Sequence, residues 1–174
     1  MSASEPSNWL PIRVESMRDA DLESVLAIEQ ASFSSPWPRQ YFLRELHHNR
    51  VAHLFVARVA EGPHQGDVVG YSCTWAIVDE LHITNFAVDA EVRRQRVGQQ
   101  LLTGVLARAL ELRCRQAVLE VRASNLGAQR LYARFGFAPV AVRKRYYAEE
   151  HEDAIVMFLE EIAPRLQQAA KPER

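Results

Sequence analysis

The chain has 174 residues, of which 48% are hydrophobic and 25% are charged, and this composition is typical of an ordinary globular protein rather than a disordered or fibrous one. Its 21 basic and 22 acidic residues give a formal net charge of -1, so the overall field favours neither nucleic acid nor an anionic membrane surface as a partner. Two isolated cysteines, Cys73 and Cys114, stand in apolar runs, which favours core positions over a disulfide or a metal site. We find no run of 18 apolar residues and no signal-peptide pattern, so the sequence predicts a cytosolic protein.

Short strands and helices alternate through the N-terminal half. Residues 1–11 are predicted to form a loose tail, and the apolar segment 12–14 a first strand. Asp19 or Asp21 then caps a helix, and Pro36 and Pro38 end its pattern before helical spacing resumes in YFLREL. The runs 54–59 and 68–77 predict an antiparallel pair of strands. The segment 80–88 predicts a strand that is covered on both faces, because its apolar residues do not strictly alternate.

The longest amphipathic helix begins near Gly98 in the C-terminal half. Its apolar residues recur every 3.6 residues, and they are Leu101, Leu102, Val105, Leu106, Ala109 and Leu110. A strand at 117–121 follows, then a helix of about eleven residues that Gly136 ends, and then strands at 137–142 and 154–159 joined by the polar linker RKRYYAEEHED. These elements predict an α+β fold with a mixed, mostly antiparallel sheet and flanking helices. We predict one domain over residues 12–160, followed by a C-terminal tail at 161–174 that is too polar to count as core.

The junction between Val88 and the long helix is the first candidate site. Backbone N–H groups at the start of a helix have no partner within it, and their partial positive charge suits a phosphate. Gly98 permits close backbone approach, and three arginines at positions 93, 94 and 96 can add charge-assisted hydrogen bonds. The alternative is a solvated, arginine-rich surface, although the helix dipole disfavours cations at this end and a bound anion would offset that.

Glu120 is the second candidate, because it is an acid within the apolar run AVLEV. A carboxylate on a strand buried on both faces is desolvated, which makes it a better proton acceptor near neutral pH. The alternatives are an ion pair with an arginine such as Arg122 or a place at a sheet edge. Asn125 and Ser124 suit the N-cap of the next helix, and Tyr132 lies on the apolar stripe of that helix as either a core or a catalytic residue.

Three segments carry a family resemblance: NFAVDAEVRRQRVGQQLL, LEVRASNLGAQRLYARFGF and RKRYYAEEHEDAIVM. Together with the Pro36-Trp37 pair, they resemble the GNAT acetyltransferases, in particular the RimI-type ribosomal-protein-alanine N-acetyltransferases, over nearly all of residues 12–160. The resemblance implies a sheet in which two central parallel strands splay apart. It further implies acetyl-CoA as co-substrate, with its pantetheine arm running in the gap like an extra strand.

The resemblance also implies roles for individual residues. Glu120 would accept a proton from the amine, and Tyr132 would donate one to the departing thiolate. The cofactor would be bound by Phe86, Ala87, Val88, Arg93, Arg94, Gln95, Arg96, Val97, Gly98, Gln99 and Asn125. The acceptor would be bound by Trp37, Tyr146, Tyr147 and Asp153. No metal is expected, since the histidines are scattered and the sequence contains no HExxH or CxxC pattern.

Arg96 departs from the family pattern, which usually has glycine at this position. If the backbone there needs a positive φ, arginine strains the loop by about 1 kcal/mol or more. If the geometry is that of an ordinary helix start, the added charge favours phosphate binding instead. The sequence is compatible with both alternatives.

The implied substrate is the N-terminal alanine of a ribosomal protein. An α-amino group with a pKa near 8 is roughly a quarter neutral near pH 7.4, whereas a lysine amine is neutral in only about one part in a thousand, so one modest base suffices for an N-terminus. The acidic residues Glu149, Glu150, Glu152 and Asp153 would attract a basic peptide, or they simply form a polar hairpin loop. A lysine or small-molecule acetyltransferase of the same fold, and a non-catalytic acetyl-CoA-binding module, remain alternatives.

Overall fold

The computed structural model describes residues 9–169, which form a seven-stranded sheet and five α-helices. The strands are β1 (Ile12–Ser16), β2 (Ala52–Val59), β3 (Val68–Ile77), β4 (Glu80–Val88), β5 (Gln116–Arg122), β6 (Ala138–Tyr147) and β7 (Glu152–Leu159). The helices are α1 (Leu22–Ser32), α2 (Arg39–His48), α3 (Val97–Glu111), α4 (Leu126–Arg134) and α5 (Ile162–Ala169). The strand order in the sheet is β1-β2-β3-β4-β5-β7-β6. Within the described range, no helix has the length and apolar character needed to cross a membrane.

The predicted α+β class, with its mixed sheet and flanking helices, is confirmed. The predicted polar linker RKRYYAEEHED is wrong in its first half, because β6 continues to Tyr147. Every residue of β6 before Tyr147 is exposed, so no apolar alternation marks the strand in the sequence. The C-terminal segment, predicted to be too polar to count as core, contains one core residue. Ile162 is fully buried, and its N–H donates to the Arg115 carbonyl at 2.8 Å. The predicted single domain over 12–160 stays a prediction, and residues 1–8 and 170–174 of the two predicted tails lie outside the described residues.

Two compact units make up the described chain. The first takes in residues 9–50, 54–72 and 86–104, and the second 51–53, 73–85 and 105–169. In the first unit, β1 and β2 pair antiparallel from Ile12–Val59 to Ser16–Phe55. Gly104 lets α3 lie directly against β1, because a Cβ at this position would overlap Val14. The middle of α3 therefore packs closely on β1.

In the second unit, β4 and β5 form the parallel pair and β7 lies antiparallel to both β5 and β6. The β4–β5 register runs from Glu80–Gln116 to Ile83–Leu119, and both strands continue beyond that last pair. The predicted divergence of two central parallel strands agrees with this early end of the ladder. Gly136, at φ +89°, follows α4 and turns the chain into β6.

A cluster of charged side chains lies in the first unit near the start of α1. Arg58 donates from Nη2 to Asp21 Oδ1 at 2.7 Å and from Nε to Glu15 Oε2 at 2.9 Å. The Arg18 N–H donates to the other oxygen of Asp21 at 2.8 Å, so this carboxylate binds these partners and does not cap α1. Burial alone would raise the pKa of Asp21, but the hydrogen bonds from Arg58 and Arg18 outweigh it and hold that pKa below its ordinary value.

Asp21→Asn is expected to lower the free energy of unfolding by about 2 kcal/mol at pH 7, since it removes charge-assisted hydrogen bonds while Glu15 still neutralises Arg58. Because the folded-state pKa of Asp21 is depressed, its contribution is complete above the unfolded value near 3.8 and is lost as the pH falls through the folded value. Urea unfolding from about pH 7 to about pH 3 should therefore show the two proteins converging in acid. A constant difference over that range would contradict the assigned role.

Candidate active site

The loop between β4 and α3 belongs to the first unit, and we call residues 89–96 the β4–α3 loop. Asp89 Oδ1 accepts the Glu91 N–H at 3.0 Å and opens a short 3₁₀ turn at Ala90–Val92. Arg93 Nε donates to the Val88 carbonyl at 3.4 Å, so the loop folds back on the last residue of β4. Residues predicted to bind the pantetheine and the pyrophosphate are therefore neighbours in space.

Two residues of this loop have left-handed backbones, Arg94 at φ +64° and Arg96 at φ +60°. Position 96 thus needs the positive φ that favours glycine, and the first of the two alternatives for Arg96 holds. Turns of this kind bring successive N–H groups toward one concave side, which is a common anion-binding arrangement. The backbone conformation therefore suits phosphate binding, although arginine is an unfavourable residue type for the positive φ at position 96.

The first turn of α3 offers further donors. Gln100 N–H donates to the Arg96 carbonyl at 3.0 Å, which makes Arg96 the residue that caps the helix. The N–H groups of Arg96, Val97, Gly98 and Gln99 consequently have no acceptor within the helix. The side chains of Arg93, Arg94 and Arg96 are exposed around them. Backbone donors without helical acceptors and exposed arginines thus belong to one short segment, a combination that can bind an anion.

The end of β4 lies deeper. Ala87 is buried, and Phe86 and Val88 are half-buried. Gly70 on β3 permits this packing, because a Cβ there would lie 3.0 Å from the Ala87 carbonyl oxygen. The main-chain roles predicted for these three residues are not tested by this geometry and stay predictions.

Trp37 is held by a buried acid that the sequence did not mark. Glu29 on α1 is 1% exposed, and its Oε1 accepts the Trp37 N–H at 2.7 Å while Oε2 accepts the Tyr71 hydroxyl. The Trp37 ring lies 5.5 Å from the ring of Tyr41 and 5.7 Å from that of Phe42. The Pro36–Pro38 loop is therefore fixed at its centre. The signal available in the sequence was an acid on the apolar face of a helix, four positions after Val25.

Glu120 lies in the second unit on β5. The expectation that its strand is covered on both faces is wrong, because buried residues strictly alternate with partly exposed ones and Glu120 is on the more open face. Its side chain is 26% exposed, and its Oε1 lies 3.5 Å from Arg143 Nη1. Glu120 therefore pairs with an arginine from β6 and not with Arg122. A carboxylate with partial access to solvent can still receive a proton from a bound amine.

Tyr147 lies close enough to Glu120, and to Tyr132, to interact electrostatically with each. Tyr132 is 5% exposed, and burial raises its pKa, with Tyr147 adding to the effect. Burial, opposed by Arg122 and assisted by Tyr146, Glu120 and Glu152, raises the pKa of Tyr147 to about 12. Both phenols therefore keep their protons near neutral pH, as a proton donor must.

Arg122 organises the turn between β6 and β7. It donates from Nη1 to Glu152 at 3.1 Å and from Nη2 to Glu150 at 3.2 Å, and its Cζ lies 3.9 Å from the centroid of the Tyr147 ring. Hydrogen bonds from Ser124 and Arg122 hold the pKa of Glu152 below its usual value. The predicted attraction of these acids for a basic peptide is therefore weakened, because a cation within the chain already pairs with both.

Arg122→Leu is expected to lower the free energy of unfolding by about 1–2 kcal/mol, since it leaves two carboxylates without their cation in a partly exposed setting. Arg122→Lys should lose less, because it keeps the charge but not the forked geometry. Urea denaturation of the three proteins measures both effects. The matched control is Arg108→Leu, which breaks an exposed ion pair with Glu111 and should cost under about 0.5 kcal/mol. Equal losses at positions 122 and 108 would contradict the proposed role of Arg122.

Asn125 and Asp153 have structural partners of their own. Asn125 Oδ1 accepts the Ala128 N–H at 3.0 Å and caps α4, as the sequence predicted. Asp153 accepts from Lys144 Nζ at 2.8 Å and from the Arg145 N–H at 2.9 Å, and these bonds hold its pKa below the usual range. Tyr146 is exposed next to this turn. The cofactor and acceptor roles assigned to these residues stay predictions.

The described residues form no group of three or more metal-ligating side chains that could hold an ion.

The candidate site residues divide between the two units. Trp37 and the residues from Phe86 to Gln99 belong to the first, and Glu120, Asn125, Tyr132, Tyr146, Tyr147 and Asp153 belong to the second.

Comparison with known proteins shows the family to which the chain belongs. Residues 22–137 match the model of the acetyltransferase (GNAT) family, and the chain belongs to that family. A Bacillus subtilis protein provisionally named ribosomal protein bS18-alanine N-acetyltransferase is 38% identical, over 84% of this chain and 93% of its own length.

Solved structures extend the comparison. The crystal structure of the Escherichia coli ribosomal-protein-S18-alanine N-acetyltransferase has a TM-score of 0.74 at 28% identity, covering 86% of this chain and 93% of its own. Arabidopsis thaliana NAA60, solved in complex with acetyl-CoA, shares the fold with a TM-score of 0.77 at 19% identity, covering 86% of this chain and 99% of its own. The predicted GNAT fold and the predicted similarity to RimI-type enzymes are confirmed.

Proposed function

We propose that this chain is an acetyl-CoA-dependent N-α-acetyltransferase that acts on the N-terminal alanine of a ribosomal protein. The observation that carries the proposal is similarity, over more than four-fifths of the chain, to proteins named for that reaction. A ribosomal-protein substrate also implies a cytosolic site of action.

The β4–α3 loop and the first turn of α3 would hold the pyrophosphate of acetyl-CoA. Support comes from the left-handed residues, the four N–H groups without helical acceptors and the exposed arginines around them. Backbone groups at Phe86–Val88 would bind the pantetheine arm, and one N–H near Val88 would stabilise negative charge on the carbonyl oxygen. Asn125 would contact the same arm.

Acetyl-CoA supplies the acetyl group as a thioester, from which attack by an amine releases the thiol. Glu120 would take a proton from the attacking amine at its carboxylate, and Tyr132 would give the proton of its hydroxyl to the departing sulfur. The raised pKa of Tyr132 supports the second role, because the hydroxyl stays protonated at working pH. Trp37, Tyr146, Tyr147 and Asp153 would bind the acceptor peptide.

The test is acetyl transfer to two peptides of identical sequence that begin with alanine and contain one internal lysine. The first has a free N-terminus, and the second is blocked there, so only its lysine can react. We expect thiol release with the first peptide and a mass shift located at its α-amine. Turnover of the blocked peptide at a comparable rate would make the protein a lysine acetyltransferase. Binding of acetyl-CoA without turnover of any amine would make it a binding module.

A further inference from the structure

The segment Trp9–Ile12, which we call the N-terminal clamp, lies against the β4–α3 loop. Leu10 N–H donates to the Gln95 carbonyl at 3.2 Å. The Gln100 side chain completes the contact, since its Nε2 donates to the Leu10 carbonyl at 2.8 Å and its Oε1 accepts the Ile12 N–H at 3.2 Å. The same Nε2 lies 3.3 Å from the Arg96 carbonyl oxygen. The side-chain amide of Gln100 therefore contacts both the clamp and Arg96, the residue that caps α3.

Trp9 adds a side-chain contact to this backbone network. Its ring is 48% exposed, and the guanidinium carbon of Arg96 lies 5.5 Å from the ring centroid. This is a cation–π contact at the surface of the protein. Trp9 and Leu10, which belong to the predicted tail, thus contact the loop predicted to bind the pyrophosphate.

The contacts fall where the loop is strained. Arg94 and Arg96 are both left-handed, and the Gln95 carbonyl that accepts the Leu10 N–H lies between them. A side chain with a Cβ persists in this conformation only where its surroundings hold it. The clamp supplies such surroundings on both sides of the Gln95–Arg96 peptide.

We propose that the N-terminal clamp holds the β4–α3 loop in the conformation that directs the first-turn N–H groups of α3 at the pyrophosphate of acetyl-CoA. Trp9 is then a positioning residue, which acts through Arg96 and not on the ligand. The inference rests on the proposed function for the identity of that ligand. The clamp precedes residues 22–137, which match the family model.

Trp9→Ala is expected to raise the Kd for acetyl-CoA about fivefold, because a loop that is competent in about a fifth of the molecules binds with an affinity reduced by that fraction. Isothermal titration calorimetry measures the Kd. At saturating acetyl-CoA, kcat and the KM for the peptide should change less than about twofold, since the clamp affects the occupancy of one site.

The decisive variant is Arg96→Gly, because glycine adopts φ near +60° without support. In that background Trp9→Ala should change the Kd less than about twofold. The matched control is Arg113→Gly, which removes an exposed arginine of similar backbone, φ +65°, in the second unit. In the Arg113→Gly background Trp9→Ala should keep its fivefold effect.

Equal losses of affinity in all three backgrounds would mean that Trp9 contacts the ligand itself. No loss of affinity in any background would mean that the clamp has no influence, so either result overturns the inference.

Failure of the unmodified protein to bind acetyl-CoA contradicts the proposed function instead. Amide exchange still tests the clamp in that case. Trp9→Ala should speed exchange at the Gln100 N–H, which bonds to Arg96, by more than about fivefold, because the open fraction rises from a small value to about four-fifths, and an unchanged rate would overturn the inference.

Discussion

Glu120→Gln is expected to lower kcat by about 10²- to 10⁴-fold, with little change in the KM for acetyl-CoA. Glutamine keeps the size of the side chain and its partial exposure on β5, but its amide does not accept a proton from an attacking amine. Thiol release from acetyl-CoA with an alanine-initiated peptide measures the effect. Calorimetric titration with acetyl-CoA then separates lost chemistry from lost binding.

Two controls accompany this variant. Arg143→Gln breaks the ion pair with Glu120 and leaves the carboxylate, so it should change kcat far less than Glu120→Gln does. Glu111→Gln makes the same chemical change at an exposed ion pair on α3 and should leave kcat unaltered. If Arg143→Gln were as damaging as Glu120→Gln, the ion pair and not the carboxylate would be the essential feature.

Tyr132→Phe is expected to lower kcat by about 10²- to 10³-fold, because the departing sulfur loses its proton donor. The phenyl ring keeps the packing against Phe137, whose ring centroid lies 5.8 Å away. Since burial raises the pKa of Tyr132 above its ordinary value of 10, the hydroxyl keeps its proton throughout the neutral and mildly alkaline range. Loss of that proton therefore should not reduce kcat of the unmodified protein between about pH 7 and about pH 9.

Urea unfolding of the Tyr132→Phe protein checks that the loss of activity does not come from loss of the fold. Tyr41→Phe is the matched variant, since it removes a phenol hydroxyl from an exposed ring in the first unit. We expect it to retain kcat. A Tyr132→Phe protein with unaltered kcat would exclude this phenol as the donor.

The elements that the sequence predicted best are those whose periodicity one buried face imposes. The strand at 80–88 has the predicted bounds, and α3 begins one residue before the predicted Gly98. The expectation that this strand is covered on both faces is wrong, because Leu81 and Ile83 are buried while the residues between and beside them are partly exposed. Apolar side chains are buried along one face of each element, and such burial leaves a period in the sequence. The exposed β6 carries no such period, and the sequence therefore predicts a linker over its second half.

The geometry of the candidate site was harder to predict from the sequence, because it depends on contacts between residues that are far apart in the chain. Nothing local distinguishes Arg143 from Arg122 as the partner of Glu120, and the choice follows from the register of β6 on β7. Arg96, with its positive φ, likewise contacts Trp9, which is far away in the chain. Residue types could suggest the chemistry of these positions, but the backbone conformation and the pairing required the folded chain.

The strand β6 has a further consequence for how the protein behaves at high concentration. It is an outer strand of the sheet, and an unprotected outer strand is a template on which other chains can add and aggregate. Pro139 removes one backbone donor, irregularities in register interrupt the ladder beside it, and Arg143, Lys144 and Arg145 place three consecutive positive charges along it. These features discourage edge-to-edge pairing of two such strands, although β6 is exposed up to Tyr147.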